Sequence, residues 1–499
     1  MSLFSFPNEL IVLILEALDV PSLLRCMQVC KRFQSIIQEN SALLYKVSLF
    51  SAQMSDVKHC DWDFPSRLEA IRKHTDAWNN LRFPTGKQIP MEHGLVLDDG
   101  QWDLVGGILV QARLRSGISC VQMPCSIKGI PERRWIALTE FPINYFEIDL
   151  TQDLLVAIEL VDDGRCHVHL RSFTTGVVHP KATCPQITPT SFGEIYLIGV
   201  CGPYMGLFFG DILAWRSMTA FVMWDWRNGN QVMFIELPGF TSFTFISDEL
   251  VLVSFVDDDE QVSLRILAVS PGNFVSSARD AEYLCELRYP RIRASCNVHD
   301  VSIASAPSTT SVLPDIPTAP FTHSSTDVLF TVTFKYTIDS RVGTVVLLVL
   351  RSTILNQVSS IAASSQKYLD WESWGPAGSR MLKLDPSDIW ACHSYGMKFV
   401  CSPDGGTFAR MFDFNPYATR KDVNTASCPQ LPWKPMPMET KIRRRRSPFD
   451  TDVVTSLPGR EASIPLPTSN NLGWESTMIT EDHIVMVQVG KSTIIAISR

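Results

Sequence analysis

The first 48 residues of the chain carry more apolar surface than a segment of this size can bury by itself. Between Leu10 and Leu18 the only polar residue is Glu16, and a helix that is apolar on every side has to be covered on every side. A chain shorter than about 40–50 residues does not bury that much surface alone. The surplus therefore predicts that a partner covers part of this segment.

Local signals predict that the segment forms short helices. Pro7 suits the first helical position, where its missing N–H costs nothing. Leu10, Ile14 and Leu18 recur every four residues, which is the spacing of one helix face, and Pro21 begins a second helix. A buried strand is the alternative for so apolar a run, but the proline and the total length favour a helix.

At these residues the chain resembles an F-box. The usual pattern of that family is Leu-Pro-x-Glu-Leu, a run of Ile and Leu, Asp-x-x-x-Leu, and then Val-Cys-Lys/Arg-x-Phe/Trp. The matching residues are Pro7, Glu9, Leu10, Ile14, Leu15, Leu18, Asp19, Leu23, Leu24, Val29, Cys30, Lys31 and Phe33. Phe6 and Tyr45 depart from the pattern, since Leu and Trp are common there, but both residues keep the bulk and the apolar character.

The resemblance implies a function and a binding surface. F-box helices dock on a Skp-type adaptor, which hangs on a cullin scaffold, so the chain would be a non-catalytic substrate-recognition subunit of an SCF-type ubiquitin ligase. The implied adaptor-binding residues are Pro7, Leu10, Ile14, Leu15, Leu18, Leu23 and Leu24. Some of these must instead hold the helices together, and the sequence does not sort them. Two alternatives stay open: an F-box scaffold without ubiquitin transfer, and a propeller enzyme or ligand-binding protein.

The composition narrows the possible classes of protein. Of 499 residues, 45% are apolar and 19% are charged, which is typical of a well-packed globular protein. The formal net charge of −8 argues against general nucleic-acid binding, which needs a basic surface. The 13 cysteines form no C-x-x-C pair, which argues against a zinc ribbon. No apolar run is long enough to cross a bilayer, so we expect a cytoplasmic or nuclear protein with reduced thiols.

From about residue 95 the pattern changes to strands and turns. Seven pairs of predicted strands follow one another, at 104–113 with 118–123, 154–161 with 166–173, 204–211 with 219–226, 250–256 with 262–269, 328–337 with 342–350, 397–401 with 407–412, and 484–489 with 493–497. Repeated antiparallel meanders favour a β-propeller of six or seven blades. Its last pair would complete a blade with strands from near residue 100. A β-sandwich or an irregular β domain is the alternative.

The predicted fold class is therefore α+β and multidomain. A short all-α F-box occupies 1–48, a helical linker 49–94, and a mostly antiparallel, propeller-like β domain 95–499, which would recruit an unknown protein target through its loops. Within the β domain, 303–326 is rich in Ser, Thr, Ala and Pro, and 415–470 contains a cluster of prolines. Both segments are predicted to be loop insertions.

The second insertion contains four consecutive arginines, Arg443 to Arg446, followed by Ser447 and Pro448. Such a run is usually a solvated basic loop, and the alternatives are a nuclear-import signal or a contact with an acidic partner. Phosphorylation of Ser447 would change the adjacent charge. The sequence leaves these interpretations open.

The sequence predicts no catalytic, cofactor or metal site. Gly490-Lys491-Ser492 is similar to the end of a phosphate loop, but Val485 stands where that loop needs a glycine, so a hairpin turn is favoured. His167 and His169 face one side of a predicted strand, yet no carboxylate or cysteine is placed to complete a metal site. Packed or surface histidines are the favoured interpretation.

Overall fold

The structure, a computed structural model, has helices in the N-terminal part of the chain and β-sheets in most of the remainder. The five N-terminal helices are α1 (Asn8–Ala17), α2 (Val20–Val29), α3 (Lys31–Glu39), α4 (Ser41–Ala52) and α5 (Phe64–Asn80). The residues described are 6–81, 87–90, 101–113, 116–161, 165–189, 194–210, 219–236, 238–269, 273–275, 283–307, 319–324, 327–362, 366–384, 393–401, 408–418, 432–466, 474–488 and 493–497. None of the helices among them has both the length and the hydropathy needed to cross a membrane.

Side chains at the helix ends explain where the helices begin. Asp19 Oδ1 accepts a hydrogen bond from the backbone N–H of Ser22 at 3.0 Å, at the start of α2. Asn40 Oδ1 accepts one from the backbone N–H of Leu43 at 3.1 Å, at the start of α4. Such caps satisfy amide groups that have no partner within the helix. Pro7 is the residue before α1 rather than its first residue, and the predicted helical segment is otherwise confirmed.

Among the described residues, seven sheets of four or five strands follow the helices, and we number them as blades 1–7 in chain order. Blade 1 contains Trp102–Val105, Ile108–Ala112, Ile118–Gln122 and Arg133–Ala137, and blade 2 contains Tyr145–Asp149, Leu154–Leu160, Cys166–Ser172 and Gln186–Ile187. Blade 3 contains Glu194–Cys201, Tyr204–Gly210, Ala220–Asp225, Asn230–Glu236 and Asn273–Val275, and blade 4 contains Phe240–Phe245, Leu250–Val256, Val262–Ala268, Tyr283–Arg288 and Tyr368–Leu369. Blade 5 contains Cys296–Ala304, Leu329–Ile338, Arg341–Leu350 and Ser379–Leu384; blade 6 contains Ser394–Tyr395, Lys398–Cys401, Phe408–Asp413, Arg460–Pro465 and Lys434–Pro435; and blade 7 contains Trp474–Ile479, Ile484–Gln488, Thr493–Ile497 and Lys87–Pro90.

The seven sheets pack side by side in a closed ring, which is a β-propeller. Buried apolar clusters fill the interface between each blade and the next. Leu109 of blade 1 and Val485 of blade 7 share the cluster that closes the ring. Two further helices, α6 (Arg351–Ala362) and α7 (Trp371–Gly378), lie between strands of blade 5 along the chain. The predicted propeller is confirmed, and the described part of the chain forms seven blades.

A strand from before blade 1 completes blade 7. Lys87–Pro90 pairs antiparallel with Thr493–Ile497, so that Lys87 lies opposite Ala496. The strand pattern predicts that strands from near residue 100 complete the last blade, and the strand that does so lies slightly earlier in the chain. One sheet thus contains a strand from before blade 1 and three strands from the last part of the chain, which ties the two ends of the β domain together.

The predicted linker at 49–94 is helical only in part. Helix α4 ends at Ala52, beyond the predicted start of the linker at residue 49. Helix α5 is the helix that was expected within the linker. Between them, Met54–Asp56 pairs antiparallel with Phe321–His323. The segment after α5 contributes the closing strand of blade 7. The linker is therefore built into the β domain at two places.

The prediction that 303–326 and 415–470 are loop insertions is wrong for part of each segment, because each contains strands. The inner strand of blade 5 extends to Ala304, and Phe321–His323 pairs with the linker. In the second segment, Arg460–Pro465 is a strand of blade 6 that pairs with Phe408–Asp413. Prolines are tolerated there because they lie at strand ends or on an outer strand, where a missing N–H breaks no sheet hydrogen bond. Residues 308–318 and 419–431 lie outside the described part.

Candidate functional site

Five large apolar side chains of the first two helices are exposed to solvent. Three of them, Leu10, Leu13 and Ile14, lie on one face of α1, and the other two, Leu24 and Val29, lie on α2. Leu13 and Val29 are the most exposed of the five, at 62% and 65%. We call these five residues the N-terminal apolar face. On soluble proteins a contiguous exposed apolar patch, such as Leu10, Leu13 and Ile14 form on one helix face, usually marks a surface that another molecule covers.

The opposite side of the same helices forms a small core. Ile11, Leu15 and Leu23 are buried in one cluster together with Phe33 and Ile37 of α3. Leu23 and Ile37 have no exposed surface at all. The predicted surplus of apolar surface is therefore divided in two: one side of α1 and α2 packs in the bundle, and the other side is free.

The structure sorts the predicted adaptor-binding residues. Pro7, Leu10, Ile14 and Leu24 are exposed, and Leu18 is half-buried. By contrast, Leu15 and Leu23 are 2% and 0% exposed, so they hold the helices together and offer no surface to a partner.

Leu13 and Val29 are not among the residues that the F-box resemblance implies for adaptor binding, although they are the most exposed of the five. Leu13 lies three positions after Leu10, a spacing that puts both side chains on one helix face. Val29 is one of the residues that match the F-box pattern. Both signals are present in the sequence, but a run that is apolar at every position does not show which face is free.

Two basic side chains fix the position of α1. Lys46 Nζ donates hydrogen bonds to the backbone carbonyls of Glu16 at 2.7 Å and Leu18 at 2.6 Å. These carbonyls lie at the C-terminal end of α1, where they have no partner within the helix and attract a cation. Arg32 Nη2 donates to the carbonyl of Phe6 at 2.9 Å, just before α1 begins. Helix α1, which carries Leu10, Leu13 and Ile14, is therefore held at both of its ends.

Helix α5 docks on the propeller at the turn after the first strand of blade 7. Trp78 Nε1 donates to the backbone carbonyl of Glu481 at 3.1 Å, and His74 Nε2 lies 3.0 Å from Asp482 Oδ1. Lys128 of blade 1 donates to the Glu481 carboxylate and lies 2.9 Å from Asp482 Oδ1. We call these five residues the buried junction, because the Lys128 ammonium and both carboxylates are almost fully removed from solvent.

The charges of the buried junction support one another. Burial by itself would lower the pKa of Lys128, but the carboxylates of Asp482 and Glu481 outweigh it and raise that pKa. Burial would likewise raise the pKa of Asp482, but Lys128 and His74 outweigh it and hold that pKa well below its usual value. The ammonium and the Asp482 carboxylate therefore stay ionised although they are buried.

A second set of contacts joins the helices to the β domain through α4 and the linker. Tyr45 Oη donates to the backbone carbonyl of Pro320 at 2.7 Å. Asn415 Nδ2 donates to the carbonyl of Ser51, at the end of α4, at 2.9 Å. Together with the pairing of Met54–Asp56 with Phe321–His323, these contacts set the orientation of the N-terminal helices relative to the propeller.

The other candidate sites of the sequence analysis have structural explanations. His169 Nε2 lies 3.0 Å from Glu159 Oε2, and its ring stacks on Phe141 with centroids 3.6 Å apart. Burial lowers the pKa of His169 despite this carboxylate. Nowhere in the described ranges do three or more histidine, cysteine or acidic side chains come close enough to hold a metal ion. Gly490-Lys491-Ser492 lies outside the described residues.

The arginine run is part of a folded hairpin. Thr440–Ile442 pairs antiparallel with Val453–Thr455, and one turn of 3-10 helix at Arg444–Arg446 lies between them. Arg443 is exposed. The side chain of Ser447 is 0% exposed, so the folded chain does not present its hydroxyl to a kinase.

Comparisons with known proteins agree with this geometry at the N-terminus. Residues 3–49 match the family model described as F-box-like. Among curated proteins, none matches the chain. One solved structure that is similar is Sqt1 from Chaetomium thermophilum, with 11% sequence identity, 79% of this chain and 80% of that chain covered, and a TM-score of 0.33, which is too low to carry an argument. The chain thus has an F-box-like domain at residues 3–49, followed by a β-propeller.

Proposed function

We propose that this chain is the substrate-recognition subunit of an SCF-type ubiquitin ligase. One observation carries the proposal: the segment that matches the F-box-like family leaves Leu10, Leu13, Ile14, Leu24 and Val29 exposed on its first two helices. F-box domains generally bind Skp-type adaptors. The N-terminal apolar face is the surface that such an adaptor would cover, and a cullin would join through the adaptor.

In this role the chain performs no bond chemistry. It holds a target protein beside a ubiquitin-charged enzyme, which raises the effective concentration of the target lysine near the reactive bond. Such a role benefits from a fixed distance between the adaptor face and the target. The buried junction and the contacts of α4 support that arrangement, because they fasten the helices to the propeller. We place the complex in the cytoplasm or the nucleus.

The first test is capture of a purified Skp-type adaptor by the full chain. We expect Leu10→Asp together with Ile14→Asp to abolish capture, since two buried charges cannot be accommodated in an apolar interface. The control is Val342→Asp, which changes a more exposed apolar residue, 61%, in the second strand of a blade 5 hairpin, far from the N-terminal helices in sequence. Equal capture of the adaptor by the double variant and the control would contradict the proposal that the N-terminal apolar face binds the adaptor.

A second test separates a ligase receptor from a scaffold. In this test the chain with its captured adaptor is mixed with cullin, with a ubiquitin-charged conjugating enzyme and with proteins that bind the propeller. We expect ubiquitin conjugates on a bound protein in the presence of the chain, and loss of those conjugates with the Leu10→Asp/Ile14→Asp variant. Adaptor capture without any conjugate would favour the scaffold alternative.

A further inference from the structure

The outer strand of blade 1, Arg133–Ala137, forms an open edge of its sheet. It pairs on one side with Ile118–Gln122, and in the described part of the chain no strand lies on its other side. Three other blades carry an added short strand at this position, which is Asn273–Val275 on blade 3, Tyr368–Leu369 on blade 4 and Lys434–Pro435 on blade 6. The blade edges of this protein therefore accept short extended segments.

The remaining outer strands offer a shorter or a covered edge. On blade 5, Ser379–Leu384 is covered by the hairpin of the arginine run, since the Met381 N–H donates to Thr455 Oγ1 at 3.0 Å. Blade 2 ends in a strand of two residues, Gln186–Ile187, and the closing strand of blade 7 has four. With five residues, Arg133–Ala137 is the longest uncovered outer strand among the described residues.

The hydrogen bonds of the neighbouring strand show which backbone groups of the edge are free. The Met123 N–H donates to the Gly107 carbonyl at 2.9 Å, toward the inside of the blade. Bonded and non-bonded pairs alternate along an antiparallel ladder, so the even-numbered residues of Ile118–Gln122 bond to the odd-numbered residues of the outer strand. The N–H and C=O groups of Arg134 and Ile136 therefore point away from the sheet, and none of them has a hydrogen-bond partner among the described residues.

Exposed apolar side chains border this open edge. Ile136 is 45% exposed, and Leu138, just after the strand, is 61% exposed. The blade 2 turn that carries Val177, which is 60% exposed, lies so close to Leu138 that a side chain at Gly176 would collide with the Leu138 carbonyl. An apolar patch thus adjoins the free backbone groups, and such patches mark sites where another molecule binds.

The other end of the strand is basic. Arg134 Nε lies 3.0 Å from Glu132 Oε1. Arg133 is exposed, and its guanidinium lies 5.3 Å from the centre of the Trp135 ring. Within the described ranges Arg133 has no ion-pair partner, so a carboxylate of a bound segment would find an unpaired cation there. The edge is therefore apolar at the Leu138 end and cationic at the Arg133 end.

A second copy of this chain does not match the edge. Symmetric antiparallel pairing of two copies, centred on Arg134, Trp135 or Ile136, puts Arg134 opposite Arg134, Ile136 or Leu138 of the second copy. An arginine opposite a like charge is destabilising, and one opposite an aliphatic side chain gains no ion pair. A segment of a different protein can instead place apolar residues beside Ile136 and Leu138 and an acidic residue beside Arg133.

We propose that the outer strand of blade 1 binds an extended segment of a partner protein as a fifth strand. Two apolar residues of the segment, two positions apart, lie beside Leu138 and Ile136, and an acidic residue three positions further lies beside Arg133. The backbone hydrogen bonds supply affinity, and the apolar and acidic positions select the segment. The proposal goes beyond the proposed function, because this edge would bind such a segment whether or not the chain joins a ubiquitin ligase.

The test measures binding of a fluorescein-labelled peptide, Glu-Thr-Thr-Val-Thr-Val-Thr-Thr-Glu, to the full chain. This sequence has the proposed spacing when it is read in either direction. Two further peptides carry N-methyl groups, one on its even-numbered amides and the other on its odd-numbered amides. Only one edge of an added strand faces the blade, so we expect one methylated peptide to bind about tenfold or more weakly and the other to bind as the parent does. Equal affinities of the two methylated peptides would contradict strand addition.

Variants of the chain separate the backbone from the apolar contacts. Ile136→Pro removes one outward N–H and breaks no bond within the blade, and it should weaken peptide binding by about tenfold. Ile136→Thr with Leu138→Thr keeps every backbone group and should weaken binding several-fold. The matched control is Val342→Thr with Leu284→Thr, which changes residues that are 61% and 41% exposed on blades 5 and 4 and should bind as the wild type does. The threonine pair decides the outcome if the proline lowers the unfolding temperature.

The cationic end is tested by a change of charge. Arg133→Glu should weaken peptide binding several-fold, whereas Arg341→Glu makes the same change at an exposed position of blade 5 and should leave it unchanged. A wild-type chain that does not bind the peptide, or edge variants that bind as their controls do, would overturn the proposal. Self-association of the wild type that Ile136→Pro abolishes would also overturn it, by assigning the edge to a second copy.

Adaptor capture is measured on the same preparations. Failed peptide binding with intact adaptor capture overturns the strand proposal alone, whereas failed capture with intact peptide binding overturns the proposed function alone.

Discussion

The Lys128 ammonium donates a hydrogen bond to the Glu481 carboxylate, although 353 positions separate the two residues in sequence. Lys128 belongs to blade 1 and Glu481 to the turn after the first strand of blade 7. The contact therefore joins the two ends of the ring at the place where α5 docks, through Trp78 and His74. One buried cation stabilises both the closure of the propeller and the attachment of the helices.

Removal of that cation should destabilise the whole chain. Lys128→Met leaves the Glu481 and Asp482 carboxylates buried without their main partner, and breaking a buried ion pair in this way costs about 3–5 kcal/mol. Chemical denaturation of the full chain measures the loss. The control is Lys73→Met, which breaks only the exposed pair with Glu69 and should leave the transition in place. Equal midpoints for the two variants would contradict the role assigned to the buried junction.

Stability should fall as the pH falls below about 6.5. Burial, with Lys398 and Lys128 nearby, lowers the pKa of His323 to about 3, and burial lowers the pKa of His393 to about 4. Between these values and the ordinary 6.5 the unfolded chain binds protons that the folded chain does not, so acidification favours unfolding. The measurement is the free energy of unfolding between pH 7 and pH 4.5.

Replacement of the buried ring tests this pH dependence. His323→Asn removes one group that stays neutral in the folded chain and protonates in the unfolded one, so the slope of stability against pH should become shallower. His59→Asn changes an exposed histidine and should preserve the slope. Parallel curves for the wild type and His323→Asn would show that this ring does not contribute.

Leu23 and Leu24 are adjacent but should behave differently. Leu23 is fully buried, so Leu23→Ala leaves a cavity that costs about 2–5 kcal/mol. Leu24 is 38% exposed, so Leu24→Ala should change stability by less than about 1 kcal/mol and weaken adaptor capture. Thermal unfolding and adaptor capture are measured on both variants. If Leu24→Ala captured the adaptor as strongly as the wild type at unchanged stability, Leu24 would not contribute to adaptor binding.

A negative charge at Ser447 should disrupt the hairpin that holds the arginine run. The side chain is fully buried and its hydroxyl lies 3.4 Å from the Arg444 carbonyl, so Ser447→Asp places a carboxylate where there is no water to solvate it. Limited proteolysis should then cut near Arg443. Ser359→Asp on the exposed side of α6 is the control, and an equally resistant Ser447→Asp chain would contradict the burial of this site.

Much of the architecture follows from local patterns in the sequence. Asp19 and Pro21 mark the start of α2 because capping and the missing proline N–H act within one turn. The strand meanders are visible because apolar and turn residues alternate over short distances. The division of α1 into a buried and a free side is not visible, because Ile11, Leu13 and Leu15 are equally apolar.

Other features depend on contacts between distant parts of the chain. No local pattern shows that Lys128 and Glu481 form a pair, because the two residues meet only when the ring closes. Likewise, the proline-rich stretch before Arg460 has the composition of a loop, yet Lys434–Pro435 pairs with a strand of blade 6. Its outer position, where a proline interrupts nothing, is set by the sheet and not by composition.

The pairing of Lys87–Pro90 with Thr493–Ile497 gives the chain a fixed order of events during its synthesis. The first partner leaves the ribosome about 400 residues before the second, so blades 1–6 are translated while the seventh is still incomplete. Glu481 and Asp482, which hold α5, arrive equally late. A chain released by a stop before Glu481 would lack both the strands that close the ring and the turn on which α5 docks.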